Sequence, residues 1–305
     1  VIEPLRKMGA EISARDGGAK APVAIHGGKL NGFEYAMPVA SAQVKSALLL
    51  AGLYASGDTT VVGPGPTRDH TERMLSAMGA DVRFGEGPAV TVKPLRGELR
   101  ATSMRVPGDI SSAAPWLVLG AAHPDAEIRI TGVCINPTRT GILDILQMMG
   151  ADIALEEERT VGAEPVADIL VRSSRLHGAV IEANLVPRAI DELPLVALAG
   201  CFAEGETIIK DAGELRLKES DRIRTTVQGL RKLGASVEET PDGLRIPGRQ
   251  RLHGAPVSAR GDHRLAMMLG VAGSLAGGET IVHNSQSVAV SYPRFWHDLG
   301  ALGHG

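Results

Sequence analysis

Polar side chains that could do chemistry gather in a few short strings of this sequence, each where an apolar or amphipathic run begins. Ser41-Ala42-Gln43-Val44-Lys45, Asp109-Ile110-Ser111-Ser112, Asp191-Glu192 and Asp262-His263-Arg264 precede largely apolar runs. Thr67-Arg68-Asp69-His70, Thr138-Arg139-Thr140 and Lys218-Glu219-Ser220-Asp221-Arg222 precede amphipathic ones. If the runs are helices, their starts present unpaired N–H groups and the positive end of the dipole, which attract anions. Asp, Ser and Thr are also the preferred N-caps, worth about 1 kcal/mol each. Capping is therefore the plainer reading of Asp109, Ser111, Ser112 and Thr140. Arg68, Arg139, Lys218, Arg222 and Arg264 oppose the dipole, and a solvated surface charge would explain any one of them alone. Their recurrence at successive helix starts argues for cations converging on a multiply anionic ligand.

Lys218 and Arg222 stand four apart, which on a helix places them on one face beside Glu219. The alternative is a charge-laced surface helix. Asp191-Glu192 heads the apolar segment Leu193-Pro194-Leu195-Val196, where burial can raise a carboxyl pKa toward that of a general base, with capping as the competing role. Other chemistries lack their residues. His26-Gly27-Gly28-Lys29 has neither the Ser/Thr nor the upstream Gly of a P-loop, and no nucleophile elbow, dinucleotide fingerprint or metal-spaced His pair occurs.

The elements that carry these strings recur. Leu-x-x-Met/Leu-Gly-Ala places a Gly at Gly9, Gly79, Gly150 and Gly234, with a degenerate copy at Gly300. The period, roughly 70–85 residues for the four full copies, suits a small α/β unit rather than a solenoid turn. Gly57-Asp58-Thr59-Thr60-Val61, Asp125-Ala126-Glu127-Ile128, Gly205-Glu206-Thr207-Ile208 and Gly278-Glu279-Thr280-Ile281 keep the same beat. Each unit reads as buried helix, turn, strand, loop, amphipathic helix, Gly turn, strand. The buried helices are expected near residues 42–55, 112–122, 193–203 and 264–275, and the clearest boundary is Arg105-Val106-Pro107-Gly108. Val1–Met8 reads as the tail of an outer helix whose own unit has no beginning, so an N-terminal portion is expected to be missing.

Composition bounds the partners. The 305 residues are 44% hydrophobic, enough for two domains with large cores. Aromatics are only 3%, leaving few stacking platforms for single-stranded nucleic acid, and the net charge of −3 gives no general pull toward DNA or anionic membranes. Apolar runs are too short to span a bilayer. Cys134 and Cys201 lack ligand spacing and read as core residues. No signal peptide or address is visible, and a cytoplasmic location is expected.

Six strings in order, Ala40-Ser41-Ala42-Gln43, Thr67-Arg68-Asp69-His70-Thr71-Glu72, Asn136-Pro137-Thr138-Arg139-Thr140-Gly141, Ile190-Asp191-Glu192, Lys218-Glu219-Ser220-Asp221-Arg222 and Gly261-Asp262-His263-Arg264, resemble the enolpyruvyl transferases, in particular their shikimate-pathway branch. The resemblance runs along essentially the whole chain. It implies an α/β fold of two lobes built from repeated βαβαββ units, with buried helices starting at a cleft between the lobes. Residues 1–105 would be a partial N-terminal, substrate-binding lobe and 106–305 a C-terminal lobe of three units. The implied reaction moves the enolpyruvyl group of phosphoenolpyruvate onto the 5-hydroxyl of shikimate 3-phosphate, releasing phosphate, for aromatic amino-acid biosynthesis, with no metal or cofactor.

By the same resemblance, Ser41, Ala42, Gln43 and Arg68 hold shikimate 3-phosphate and Lys218 reaches its phosphate or ring. Asp191 takes the proton of the attacking hydroxyl, Glu219 exchanges one with the methylene carbon, and Arg222 and Arg264 bind phosphoenolpyruvate. The family's Lys-Ser-x-x-x-Arg segment has no counterpart here, so the chain alone is expected to be inactive until that segment completes the site. Val290 stands where many members carry a Lys. The sister transferase acting on UDP-N-acetylglucosamine and a non-catalytic anion-binding fragment are the alternatives.

Overall fold

The computed structural model describes residues 1–302, which divide into two compact units. Unit 1 comprises Val1–Val106 with the turn Thr160–Glu164, and unit 2 comprises Pro107–Arg159 with Pro165 onward.

In unit 1, α1 (Ile2–Lys7) leads to the antiparallel hairpin β1 (Glu11–Arg15) and β2 (Lys20–His26). Then follow β3 (Glu34–Ala36), α2 (Ala42–Gly52), β4 (Thr59–Val62), α3 (His70–Ala77), β5 (Val82–Phe84) and β6 (Ala89–Val92). The sheet order is β3-β4-β6-β5, with β3 parallel to β4 and the other two pairings antiparallel. Leu48 and Leu49 of α2 and Leu75 of α3 cover this sheet, packing with Met37, Val61, Val90 and Val92 in the core.

Unit 2 opens with α4 (Ile110–Ala122), β7 (Glu127–Cys134), α5 (Gly141–Met148), β8 (Asp152–Val161) and β9 (Glu164–Arg172), the strands ordered β7-β9-β8. It continues through β10 (Val180–Ile181), the short α6 (Leu185–Ala189), α7 (Leu193–Phe202), β11 (Thr207–Ile209), α8 (Arg222–Lys232), β12 (Glu238–Thr240) and β13 (Gly243–Ile246). This sheet, β10-β11-β13-β12, repeats the pairing of unit 1: one parallel pair followed by two antiparallel ones. The last copy is abbreviated. Parallel β14 (Pro256–Ser258) and β15 (Ile281–His283) flank α9 (His263–Leu275), and α10 (Phe295–Leu302) follows, with no closing strand pair among the described residues. Of the three full units expected in this part of the chain, the third thus holds two strands.

The repeat glycines end equivalent helices. Gly9, Gly79, Gly150 and Gly234 directly follow the C-caps of α1, α3, α5 and α8 at φ of 102°, 91°, 89° and 90°, a conformation costly for any residue with a Cβ. The carbonyl before each accepts from an equivalent N–H, of Asn31, Arg100, His177 and His253, at 2.8, 2.8, 2.7 and 2.9 Å. Gly300 breaks the pattern, since it lies inside α10.

Helices α4, α7 and α9 pack on one another at the centre of unit 2. Their all-round apolarity is what being enclosed by other elements demands. In α7 every residue from Leu193 to Cys201 is buried, and each such Leu or Val contributes roughly 1.5–3 kcal/mol. Burial pushes the Cys201 thiol up to about 12, so it stays an inert core thiol. Helix and sheet meet through a recurring close approach: a Cβ on Gly52, Gly200 or Gly273 would stand 2.8, 2.9 and 2.9 Å from the Cβ of Thr59, Thr207 and Thr280. Gly200→Ala should therefore force α7 off β11 and cost about 1–3 kcal/mol. A melting temperature equal to the parent's would show that the helix yields freely there.

Candidate active site

In unit 1, Ser41 caps α2, accepting from the Val44 N–H at 3.3 Å. Ala42 and Gln43, with Ser46, Arg68, His70 and Thr71, line a recess of about 230 Å³. Three of the four residues expected to hold the phosphorylated substrate thus share one small recess, and Ser41 starts the helix that forms its wall. Beneath, Lys45 forms a buried ion pair with Glu72, joining α2 to α3. A Lys in a helix otherwise without charge was the available signal for that pair. His70 is held by Glu164, Nδ1 to Oε1 2.7 Å.

In unit 2 the packing of α4, α7 and α9 assembles their starts, whose N-cap residues are Asp109, Glu192 and Asp262. Arg222, the first residue of α8, is the hub. Its guanidinium is 1% exposed, and all three nitrogens donate to carboxylates: Nε to Asp262 at 2.9 Å, Nη1 to Asp191 at 3.0 Å and Nη2 to Glu219 at 2.6 Å. Burial works against its charge, but the hydrogen bond to Asp262 and the fields of Asp262, Glu219 and Asp191 outweigh this and hold its pKa above the ordinary arginine value. Asp262, fully buried, also accepts from Ser220 Oγ at 3.0 Å and caps α9 through the Arg264 N–H at 2.9 Å. The side chains of Asp191 and Glu219 keep 18% and 54% exposure.

This differs from the sequence reading in three respects. Lys218 and Arg222 do not share a helical face, because Asp221 caps α8 by accepting from the Arg224 N–H at 3.0 Å and so starts the helix at Arg222. Lys218 lies before the helix, its ammonium paired with Glu214. Arg222, expected to bind phosphoenolpyruvate, has each of its three guanidinium nitrogens on a protein carboxylate. And Asp109, Ser111 and Thr140 make no side-chain caps: Asp109 accepts from Arg139 at 2.7 Å, and Ser111 donates to Glu192. Arg264 is half-buried beside Asp262 at the start of α9, and its side chain makes no ion pair among the described residues. Burial, then the Arg264 charge, lowers the pKa of neighbouring His263, which stays neutral near pH 7.

Two partly exposed carboxylates on one guanidinium, with Arg264 at the adjoining helix start, can exchange protons and bind an anion. A family model for EPSP synthase (3-phosphoshikimate 1-carboxyvinyltransferase) matches residues 1–299. A 3-phosphoshikimate 1-carboxyvinyltransferase of Roseiflexus castenholzii is 54% identical over 98% of this chain and 70% of its own length. That of Gloeobacter violaceus is 52% identical over 99% of this chain and 69% of its own. An EPSP synthase structure from Acinetobacter baumannii superimposes with a TM-score of 0.92 at 43% identity, covering 99% of this chain and 69% of that one. With the repeated sheet topology and the acid cluster on Arg222, these similarities identify the chain as a member of the EPSP synthase family, the 3-phosphoshikimate 1-carboxyvinyltransferases.

Proposed function

We propose that the chain transfers the enolpyruvyl group of phosphoenolpyruvate to the 5-hydroxyl of shikimate 3-phosphate, with Asp191 and Glu219 as its two proton-transfer groups. The observation that carries this reading is the pair of partly exposed carboxylates oriented by one buried guanidinium. Glu219 passes a proton to the methylene carbon, leaving positive charge at C2 that neighbouring carboxylates stabilise. The 5-hydroxyl oxygen bonds to C2 as Asp191 takes its proton. The methyl carbon then returns a proton to Glu219 as the C2–O bond to phosphate breaks, which restores the double bond and frees phosphate.

Unit 1 contributes Ser41, Ala42, Gln43 and Arg68 to shikimate 3-phosphate; the shared recess supports three of these, and the helix start supports Ser41. Lys218 is assigned to shikimate 3-phosphate as well, a role that requires its ammonium to leave Glu214. Arg264 is assigned to phosphoenolpyruvate, since its guanidinium is not committed to a carboxylate as that of Arg222 is. Arg222 is assigned to positioning the acids. Small phosphorylated and carboxylated substrates fit a cytoplasmic site of action, and among the described residues no helix is long and apolar enough to cross a membrane.

The test is phosphate release by the full-length protein. Phosphoenolpyruvate with shikimate 3-phosphate should release phosphate, and phosphoenolpyruvate with UDP-N-acetylglucosamine should not. Release with the sugar nucleotide alone would overturn the assignment.

A further inference from the structure

The acidic pair at the head of α7 is divided by burial. Asp191 keeps part of its carboxylate exposed and holds Arg222, whereas Glu192 is only 4% exposed. Glu192 accepts from the Ser111 hydroxyl, and Ser111 Oγ in turn accepts from Arg139 Nη2 at 2.8 Å. Arg139 also donates to Asp109, at 2.7 Å. The network links the approach to α5 with the starts of α4 and α7. A serine hydroxyl has one proton, so with Arg139 donating to its oxygen that proton is directed at Glu192.

Burial raises the Glu192 pKa; Ser111 opposes, Asp191 adds to the rise, and Arg264 and Arg139 oppose it from farther off. A second charge beside Asp191 would have no guanidinium hydrogen-bonded to it among the described residues, since Arg222 serves Asp191, Glu219 and Asp262 while Arg139 serves Asp109 and reaches Glu192 only through Ser111. Burial and the neighbouring Asp191 charge thus both push Glu192 toward its uncharged form.

Resting on the assignment of Asp191 as base, we propose that Glu192 is a positioning residue of the enolpyruvyl transfer: it locks Ser111, and through it Arg139, against the head of α7, so that Asp191 is the one member of the pair presented to substrate. Glu192 touches no reacting atom; it ties the head of α7 to Ser111 and, through it, to Arg139.

The experiment compares Glu192→Gln, Glu192→Leu and Ser111→Ala in the full-length protein. Glu192→Gln keeps an uncharged acceptor for Ser111, so its kcat should stay close to the parent's. Glu192→Leu and Ser111→Ala should lower kcat by about 10- to 100-fold, the effect of a slightly misplaced reacting group, with little change in KM for shikimate 3-phosphate. Infrared spectra at neutral pH should show the C=O stretch of a protonated carboxylic acid in the parent and not in Glu192→Gln. Loss of activity in Glu192→Gln equal to that in Glu192→Leu, or absence of the band, would mean that an ionised carboxylate is required and would overturn the proposal. Parental kcat in Ser111→Ala would overturn it even if Glu192→Leu failed to fold. Full turnover by Asp191→Asn would remove the base assignment instead, leaving the infrared band and the contrast between Gln and Leu separately readable.

Discussion

Asp191→Asn in the full-length protein should lower kcat by about 10²–10⁴, the range lost with a general base, while KM for shikimate 3-phosphate changes far less. Asparagine is nearly isosteric and its Oδ1 can still accept from Arg222 Nη1, the contact that Asp191 makes at 3.0 Å. Geometry is therefore largely kept, and what is removed is the ability to take a proton. The exposed fraction of Asp191 supports a role toward a ligand, since a carboxylate serving only Arg222 gains nothing from solvent access. Steady-state kinetics with a thermal melt separates the roles. Unchanged turnover with a shifted melting temperature would make Asp191 merely one of the three anchors of Arg222.

Local pattern was enough to find the elements. Continuous apolarity marked α2, α4, α7 and α9, and four glycines marked the ends of outer helices, because a helix start, a C-cap and an enclosed surface each constrain residues near in sequence. What escaped the sequence depends on partners far along the chain. Ser111 looks like a cap until Glu192, in another repeat, takes its hydroxyl. Cations at helix starts looked like ligand contacts. Arg139 holds the exposed Asp109 together with Ser111, and Arg222 holds the buried Asp262 at a neighbouring helix start, which is an equally physical reason for placing a cation against the dipole. Arg264 keeps the expected placement, with no carboxylate on its guanidinium among the described residues. The error over Lys218 and Arg222 was one of boundary: the spacing of four was real, but Asp221 starts the helix after Lys218.

Arg222→Met should be the most destabilising single change at this site. It removes the guanidinium that three carboxylates share, and Asp262 cannot turn to water because it is fully buried. Removing one partner of a buried ion pair costs about 3–5 kcal/mol, chiefly through the uncompensated charge left behind. For a unit of this size that corresponds to a fall in melting temperature of roughly 10 °C. Ser220 and the α9 N–H groups still bond Asp262 and keep the loss from growing larger. Arg222→Lys should recover only a minor part, since one ammonium cannot span the separate directions in which Nε, Nη1 and Nη2 hold Asp262, Asp191 and Glu219. The double variant Arg222→Met with Asp262→Asn should be less destabilised than the sum of the two single changes, because each alone strands the other's charge. If Arg222→Lys instead melts with the parent and only KM for phosphoenolpyruvate rises, the guanidinium is a substrate ligand after all, and its enclosure by carboxylates must open when substrate binds.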